Sequence, residues 1–187
     1  MKKTYLVVLV TVLFSLSMFS QDNTKNETPL ENFNELKINM TNLIIFKWVD
    51  VAYERTINEE ASFGVSLLTK IGSNTDGTGL DAYRTFSLTP YYRHFFSKKY
   101  AQGFFIEGFA MLHSGEDEFY NYDSPTGNGS YTYEKYTDLA IGVSTGAKFI
   151  TKRGFIAEIY LGIGRDMLNQ SDLEVVGRGG IALGYRF

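Results

Sequence analysis

The chain of 187 residues contains no cysteine, which excludes a disulfide framework, a thiolate metal site and a lipid-modified N-terminal Cys. Histidine is nearly absent too, with only His94 and His113, and no metal-ligand spacing, phosphate loop or dinucleotide fingerprint occurs. The stretch GIGRDM at 162–167 follows an apolar run, but no helical pattern follows it, so it is not a nucleotide fingerprint. Neither a cofactor nor a metal is expected. A basic excess is missing as well: the formal net charge is −3, which argues against nucleic acid as a partner. Beyond Asn34 no segment holds a helical stripe over the 11 or more residues that a helix requires. What remains is period-two alternation, so the chain reads as all β.

The N-terminus is a separate element. Two lysines, an uncharged apolar run from Tyr5 to Phe19 and the small residue Ser20 have the layout of a removable signal peptide. The run is shorter than the roughly 20 apolar residues of a spanning helix. Export with cleavage near Ser20 is therefore expected, leaving 167 residues with 16 bases against 21 acids, a net of −5. Residues 21–34 are polar and non-periodic and read as a disordered lead-in.

Eight alternating runs follow: 36–45, 48–57, 61–71, 83–96, 103–113, 138–149, 155–166, and a last one ending in IALGYRF at Phe187. The links after the second, fourth and sixth runs are tight (58–60, 97–101, 151–153), whereas 72–82, 114–137 and 167–175 are longer. Up-and-down connectivity puts the tight turns and both ends of the sheet on one side. Short turns opposite long loops are the asymmetry of a transmembrane β-barrel.

Alternation alone leaves open whether the apolar face points inward, as in a secreted barrel, or outward into lipid. The polar faces decide it. They carry Lys37, Asp50, Glu54, Arg93, Glu107, Asp138, Lys148, Glu158, Arg178 and Arg186, interleaved with small residues such as Gly64, Gly142, Gly146 and Gly184. Small residues make room for large ones inside a narrow barrel, and charges desolvated there need partners. The expected lumen is plugged by an ion-pair network of Asp50, Glu54, Arg93, Glu107, Lys148, Glu158, Arg178 and Arg186, since eight strands leave space only for side chains. A strand running to Phe187 would pair with the first run and close the ring.

Leu183, Tyr185 and Phe187 in ALGYRF resemble the C-terminal strand signal read by the outer-membrane barrel assembly machinery. The layout of residues 35–187 is similar to small eight-stranded outer-membrane barrels of the OmpA and OmpX type. Segments such as KINMTNLI, VAYERTIN, SLTPYYRHFF and GFFIEGFAML resemble uncharacterised outer-membrane β-barrel families of Gram-negative bacteria. The resemblance implies an eight-stranded antiparallel up-and-down transmembrane barrel with periplasmic termini, a periplasmic lead-in and outer-membrane lipid as its solvent. Pro90 departs from strand chemistry because it cannot donate to the ladder, so a bulge is expected there.

Aromatics near run ends are expected to form interfacial girdles: Phe46 and Trp48 at one end, Phe95, Phe96, Tyr100, Phe104, Phe149, Phe155, Tyr185 and Phe187 at the other. Tyr120, Tyr122, Tyr131 and Tyr133 flank a Pro and Gly-rich turn and read as a hairpin extending the fifth and sixth strands, a candidate surface for an extracellular partner within 114–137. LHSGE superficially resembles the Ser and His of lipid-acting barrel enzymes. Ser114, however, lies on the opposite face of the strand from His113, so no catalytic residue is expected. A structural or surface-interaction protein is the leading reading. A secreted soluble barrel that binds an apolar ligand, a lipid-acting barrel enzyme and a narrow pore are the alternatives.

Overall fold

Alternation becomes geometry in the computed structural model. It describes residues 33–71, 84–97, 99–123, 128–168 and 174–187, with the backbone alone between 117 and 134. The elements are β1 Asn34–Asn39, α1 Met40–Ile45, β2 Trp48–Thr56, β3 Ala61–Lys70, β4 Phe86–Phe95, β5 Gly103–Asp123, β6 Asn128–Ile150, β7 Phe155–Asp166 and β8 Val175–Arg186. Each strand pairs antiparallel with its sequence neighbours and β8 pairs with β1, so the sheet closes into an eight-stranded up-and-down barrel. Where β8 meets β1, Asn34 and Phe187 exchange both backbone hydrogen bonds, at 2.9 and 2.8 Å. The expected signal peptide and most of the lead-in lie outside the described residues.

Register is continuous in every strand pair. Carrying the partners round the ring returns about ten residues further along β1, a stagger that for eight strands means a tilt of about 40°. At Pro90 the structure corrects the expected bulge. The β4–β5 ladder lapses between Leu88↔Leu112 and Tyr91↔Phe109 and resumes in the same register, while Pro90 stays opposite Val65 on β3. A missing donor costs the ladder a bond on one side, and no extra residue is inserted to absorb it.

The first run also differs from expectation. It leaves the sheet at Asn39, whose side chain accepts from the Asn42 N–H at 3.2 Å and caps α1. Pairing of β1 with β8 therefore stops at Asn39↔Ala182, and the far half of β8 has no strand beside it on that edge. Side chains serve its backbone there: Thr41 Oγ1 accepts from Ile181 N at 2.9 Å, Asn39 Nδ2 donates to Gly179 O at 3.1 Å, and Arg84 Nη2 donates to Gly177 O at 3.2 Å.

The pleat sorts the chain by parity. Leu67, Ile141 and Ile159 are 47%, 54% and 55% exposed on the outer wall, whereas Glu54, Lys148 and Glu158 are 0%, 1% and 2% exposed inside the ring. Glycines open the interior where a large side chain lies against the wall. A Cβ built on Gly64 would sit 2.4 Å from Cζ of Tyr91, its cross-strand neighbour on β4. Gly64→Ala should cost about 1–3 kcal/mol in equilibrium urea unfolding by overpacking. The same substitution in a Tyr91→Leu background should cost clearly less, because the ring it collides with is gone.

Candidate functional site: the barrel interior

The interior is layered along the strands. At the tight-turn end Phe95, Ala101, Phe105, Tyr160 and Ala182 pack together, and further along Tyr91, Phe109, Met111, Ala140 and Val176 form a second apolar cluster. Between them lies a slab of charge. It occurs there because Arg93 falls two residues from both Phe95 and Tyr91 on β4, and Glu107 falls likewise between Phe105 and Phe109 on β5.

Glu54 is the hub. Its carboxylate accepts from Lys37 Nζ at 2.5 Å, Arg93 Nη1 at 2.9 Å and Lys148 Nζ, and from the hydroxyls of Ser62 at 2.6 Å and Tyr91 at 3.1 Å. Glu158 pairs with Lys37 at 2.9 Å and Arg93 at 2.7 Å. Glu107 takes Arg93 Nε at 2.6 Å, Arg178, and the Ser144 hydroxyl at 2.6 Å. Glu35 takes Lys148 at 2.9 Å and Arg186 at 2.6 Å, and Arg186 also donates to the carbonyls of Tyr100 and Ala101. The guanidinium of Arg93 is stacked 4.3 Å from the Phe105 ring centre and 4.6 Å from that of Tyr91. Beside this network only a void of about 10 Å3 is found, bordered by Lys37, Asp50, Arg93 and Glu158.

Seven of the eight residues expected in the network meet in it. Asp50 does not. It binds neutral donors instead, Asn39 at 3.1 Å, Asn42 at 2.7 Å and Ser66 at 2.8 Å, because it lies two layers beyond the bases, beside α1. Glu35 and Lys37 belong to the network although neither stood in the expected set. Their signal was available: both share the parity of Asn39 on β1, opposite the outward Leu36 and Ile38.

The girdle expectation needs four corrections: Phe46 lines the interior cavity, stacked on Trp48, and Tyr100 packs against the interior cluster at the tight-turn end. Trp48 and Phe95 point inward, since Trp48 has the parity of Asp50 and Glu54, and Phe95 that of Arg93. Phe96, Phe104, Phe149, Phe155, Tyr185 and Phe187 are exposed outside at the tight-turn end, with Phe155 and Tyr185 in edge-to-face contact at 5.5 Å. Leu183 is exposed beside them. The hairpin continues β5 and β6 as expected: Tyr120 pairs with Tyr131, Glu118 with Tyr133 and Tyr122 with Gly129.

Beyond Tyr91 and Met111 the interior opens into a cavity of about 500 Å3. His113 enters it from β5, 2% exposed, with Nε2 2.9 Å from Asp166 Oδ1. Its Nδ1 has no hydrogen-bond partner among the described residues. Among the described residues no three His, Cys, Asp or Glu side chains are grouped to hold a metal ion.

Fold and interior together define a closed eight-stranded antiparallel barrel with a polar, ion-paired inside and an apolar outside. No family model matches the chain, and no curated protein matches it. Among solved structures it is similar to the N-terminal β-barrel domain of Pseudomonas aeruginosa OprF, at 14% identity and a TM-score of 0.39, over 84% of this chain and 98% of that one. At that identity the likeness concerns the fold alone.

Removing one partner from the slab strands the others. Glu54→Leu should destabilise the barrel by about 3–5 kcal/mol, and Arg93→Met by a similar amount, in urea titrations followed by tyrosine and tryptophan emission. Asp50→Asn, whose one remaining oxygen can still accept from Asn39 and Asn42 while its NH2 donates to the Ser66 hydroxyl, should cost no more than about 1–2 kcal/mol.

Proposed function

We propose that the chain is an integral outer-membrane β-barrel of the OmpA-like kind, structural or porin-like in role, with its cross-section plugged by the charged slab and its β5–β6 hairpin turned to the cell's surroundings. The observation that carries this reading is the outer wall. Along β7 the outward positions from Phe155 to Ile163 are apolar, and the charged outward residue, Arg165, comes only after them. Nine residues at about 3.3 Å each, tilted by about 40°, give an apolar band about 23 Å tall, close to the roughly 25 Å of an outer-membrane barrel. Other outward charges likewise sit at strand ends or beyond them: Arg55 beside the tight turn, Glu116 and Lys135 at the base of the hairpin.

Water would solvate such a wall poorly, because a contiguous apolar surface of this extent far exceeds the few hundred Å2 tolerated on soluble monomers. Lipid suits it, and a closed ring meets the demand that no backbone group face hydrocarbon unpaired. A secreted barrel binding an apolar ligand would need the opposite parity. An open pore is disfavoured because Glu54, Arg93 and Lys148 meet across the lumen. On this reading the termini are periplasmic, Leu183, Tyr185 and Phe187 present the strand that the assembly machinery engages, and no catalytic role is assigned.

The chain should fractionate with outer membranes, need detergent for extraction, and migrate differently on gels before and after boiling. A monodisperse folded chain in plain buffer would refute the membrane reading. In folding titrations into lipid vesicles, Ile159→Arg at mid-band should cost about 2–4 kcal/mol and Phe155→Arg near the interface about 0–1 kcal/mol. Protease added to intact cells should cut within residues 124–127 and leave the barrel whole.

A further inference from the structure

The charged slab leaves its groups paired, yet the cavity beyond it does not. Among the described residues three buried side-chain nitrogens have no hydrogen-bond partner, Trp48 Nε1, Arg84 Nε and His113 Nδ1, and all three side chains line this one cavity. Trp48 and His113 are more than nine-tenths buried. Unpartnered buried polar atoms are costly in a folded chain, and here they converge instead of scattering. Two of the three can act only as donors, since an indole and a guanidinium nitrogen offer N–H and no lone pair.

Arg84 is also a cation of this region that feels the Asp50 carboxylate without being ion-paired to it. Among the described residues no acid lies within salt-bridge distance of it; its Nη atoms reach Met111 Sδ at 3.1 Å and Gly177 O at 3.2 Å. Asp50 faces the same space, but its oxygens take the donors of Asn39, Asn42 and Ser66. The Arg84 guanidinium lies 5.4 Å from the Trp48 ring centre, and that ring is stacked on Phe46 at 4.9 Å. His113 Nε2 lies 2.9 Å from Asp166 Oδ1, and the other ring nitrogen, Nδ1, is the unpartnered one. Leu68, Met111 and Val176 supply apolar lining of the same cavity.

We propose that this cavity is a binding site for an organic carboxylate with an aromatic or aliphatic body, its anionic head held by Arg84 and Trp48 Nε1 and its body against Leu68, Met111 and Val176. The volume, about 500 Å3, falls in the range of small-molecule sites, and an apolar lining with a few convergent donors is their usual composition. A charged acceptor on these donors would form charge-assisted hydrogen bonds, roughly twice as strong as neutral ones. The site does not require the membrane reading, because the cavity lies inside the ring whatever solvates the outer wall.

Trp48 is the chain's single tryptophan, so intrinsic tryptophan emission reports on this site alone. The test titrates the full folded chain in micelles with phenylpropionate and with its neutral amide. A saturable emission change with the carboxylate, and binding roughly tenfold weaker for the amide, is expected. Arg84→Gln should abolish the preference for the acid, while Arg165→Gln, on the outer wall, should leave it intact. Equal response to acid and amide, absence of any saturable response, or an Arg84→Gln chain that still prefers the acid would each overturn the proposal. Should Arg84→Gln fail to fold, the acid and amide comparison on the unaltered chain decides the matter by itself.

Discussion

A carboxylate with no exposure to water sits at the centre of this barrel, and five donors surround it. Glu54 is the constraint on which the interior depends. Lys37, Arg93 and Lys148 come from β1, β4 and β6, and taking any of them out of water would be prohibitive without an acid within reach. Because each of the three also contacts a second acid, the slab ties together strands that never touch along the sheet. Hydrogen-bonded ladders hold neighbours, and ion pairs hold opposite walls. The aromatic layers on either side keep water out of the slab, and the Arg93 guanidinium between Phe105 and Tyr91 shows how a charge can be packed as if it were a flat apolar group.

A barrel that turns its apolar registers outward gives up the ordinary hydrophobic core, so closure and interior polarity must supply order. Closure is least complete at the junction of β8 with β1. Once Asn39 caps α1, no strand runs beside the far half of β8, and its carbonyls at 177 and 179 turn to side chains. Asn39 and Arg84 thus have two duties, completing the wall and shaping the cavity behind it. The same short first strand that weakens the ring gives the cavity its side wall of helix and glycine.

Parity was the legible part of the sequence. The eight runs, the antiparallel order and the inward place of seven network residues follow from period two and from the odd company of charges with glycine and serine. Pairing inside was not legible. Lys148 and Glu158 lie directly opposite on β6 and β7, yet Lys148 turns to Glu54 and Glu35, and Glu158 to Lys37 and Arg93, across the lumen. Those partners depend on stagger, which is fixed only when all eight registers are known. Residue type misleads where parity does not: Trp48 and Phe95 are aromatics near run ends, yet their positions in the alternation turn both inward. Asn39 shows the converse limit, since an asparagine within an alternating run is compatible with a strand until the cap it forms is seen.

The two halves of the interior obey the same alternation with opposite chemistry. Toward the tight turns, donors and acceptors are matched, small residues fit against rings, and a void of about 10 Å3 remains beside the network. Toward the long loops, three buried nitrogens among the described residues lack a partner, and a cavity about fifty times larger lies among them. Saturation rigidifies, whereas unsatisfied donors around an open space leave work for something else to do. Since the slab and the cavity share Arg178 and little more, loss of Arg84 or His113 need not disturb the pairing around Glu54. Stability and recognition are thereby separable along one axis, with the plug as foundation and the far half free to vary in what it meets.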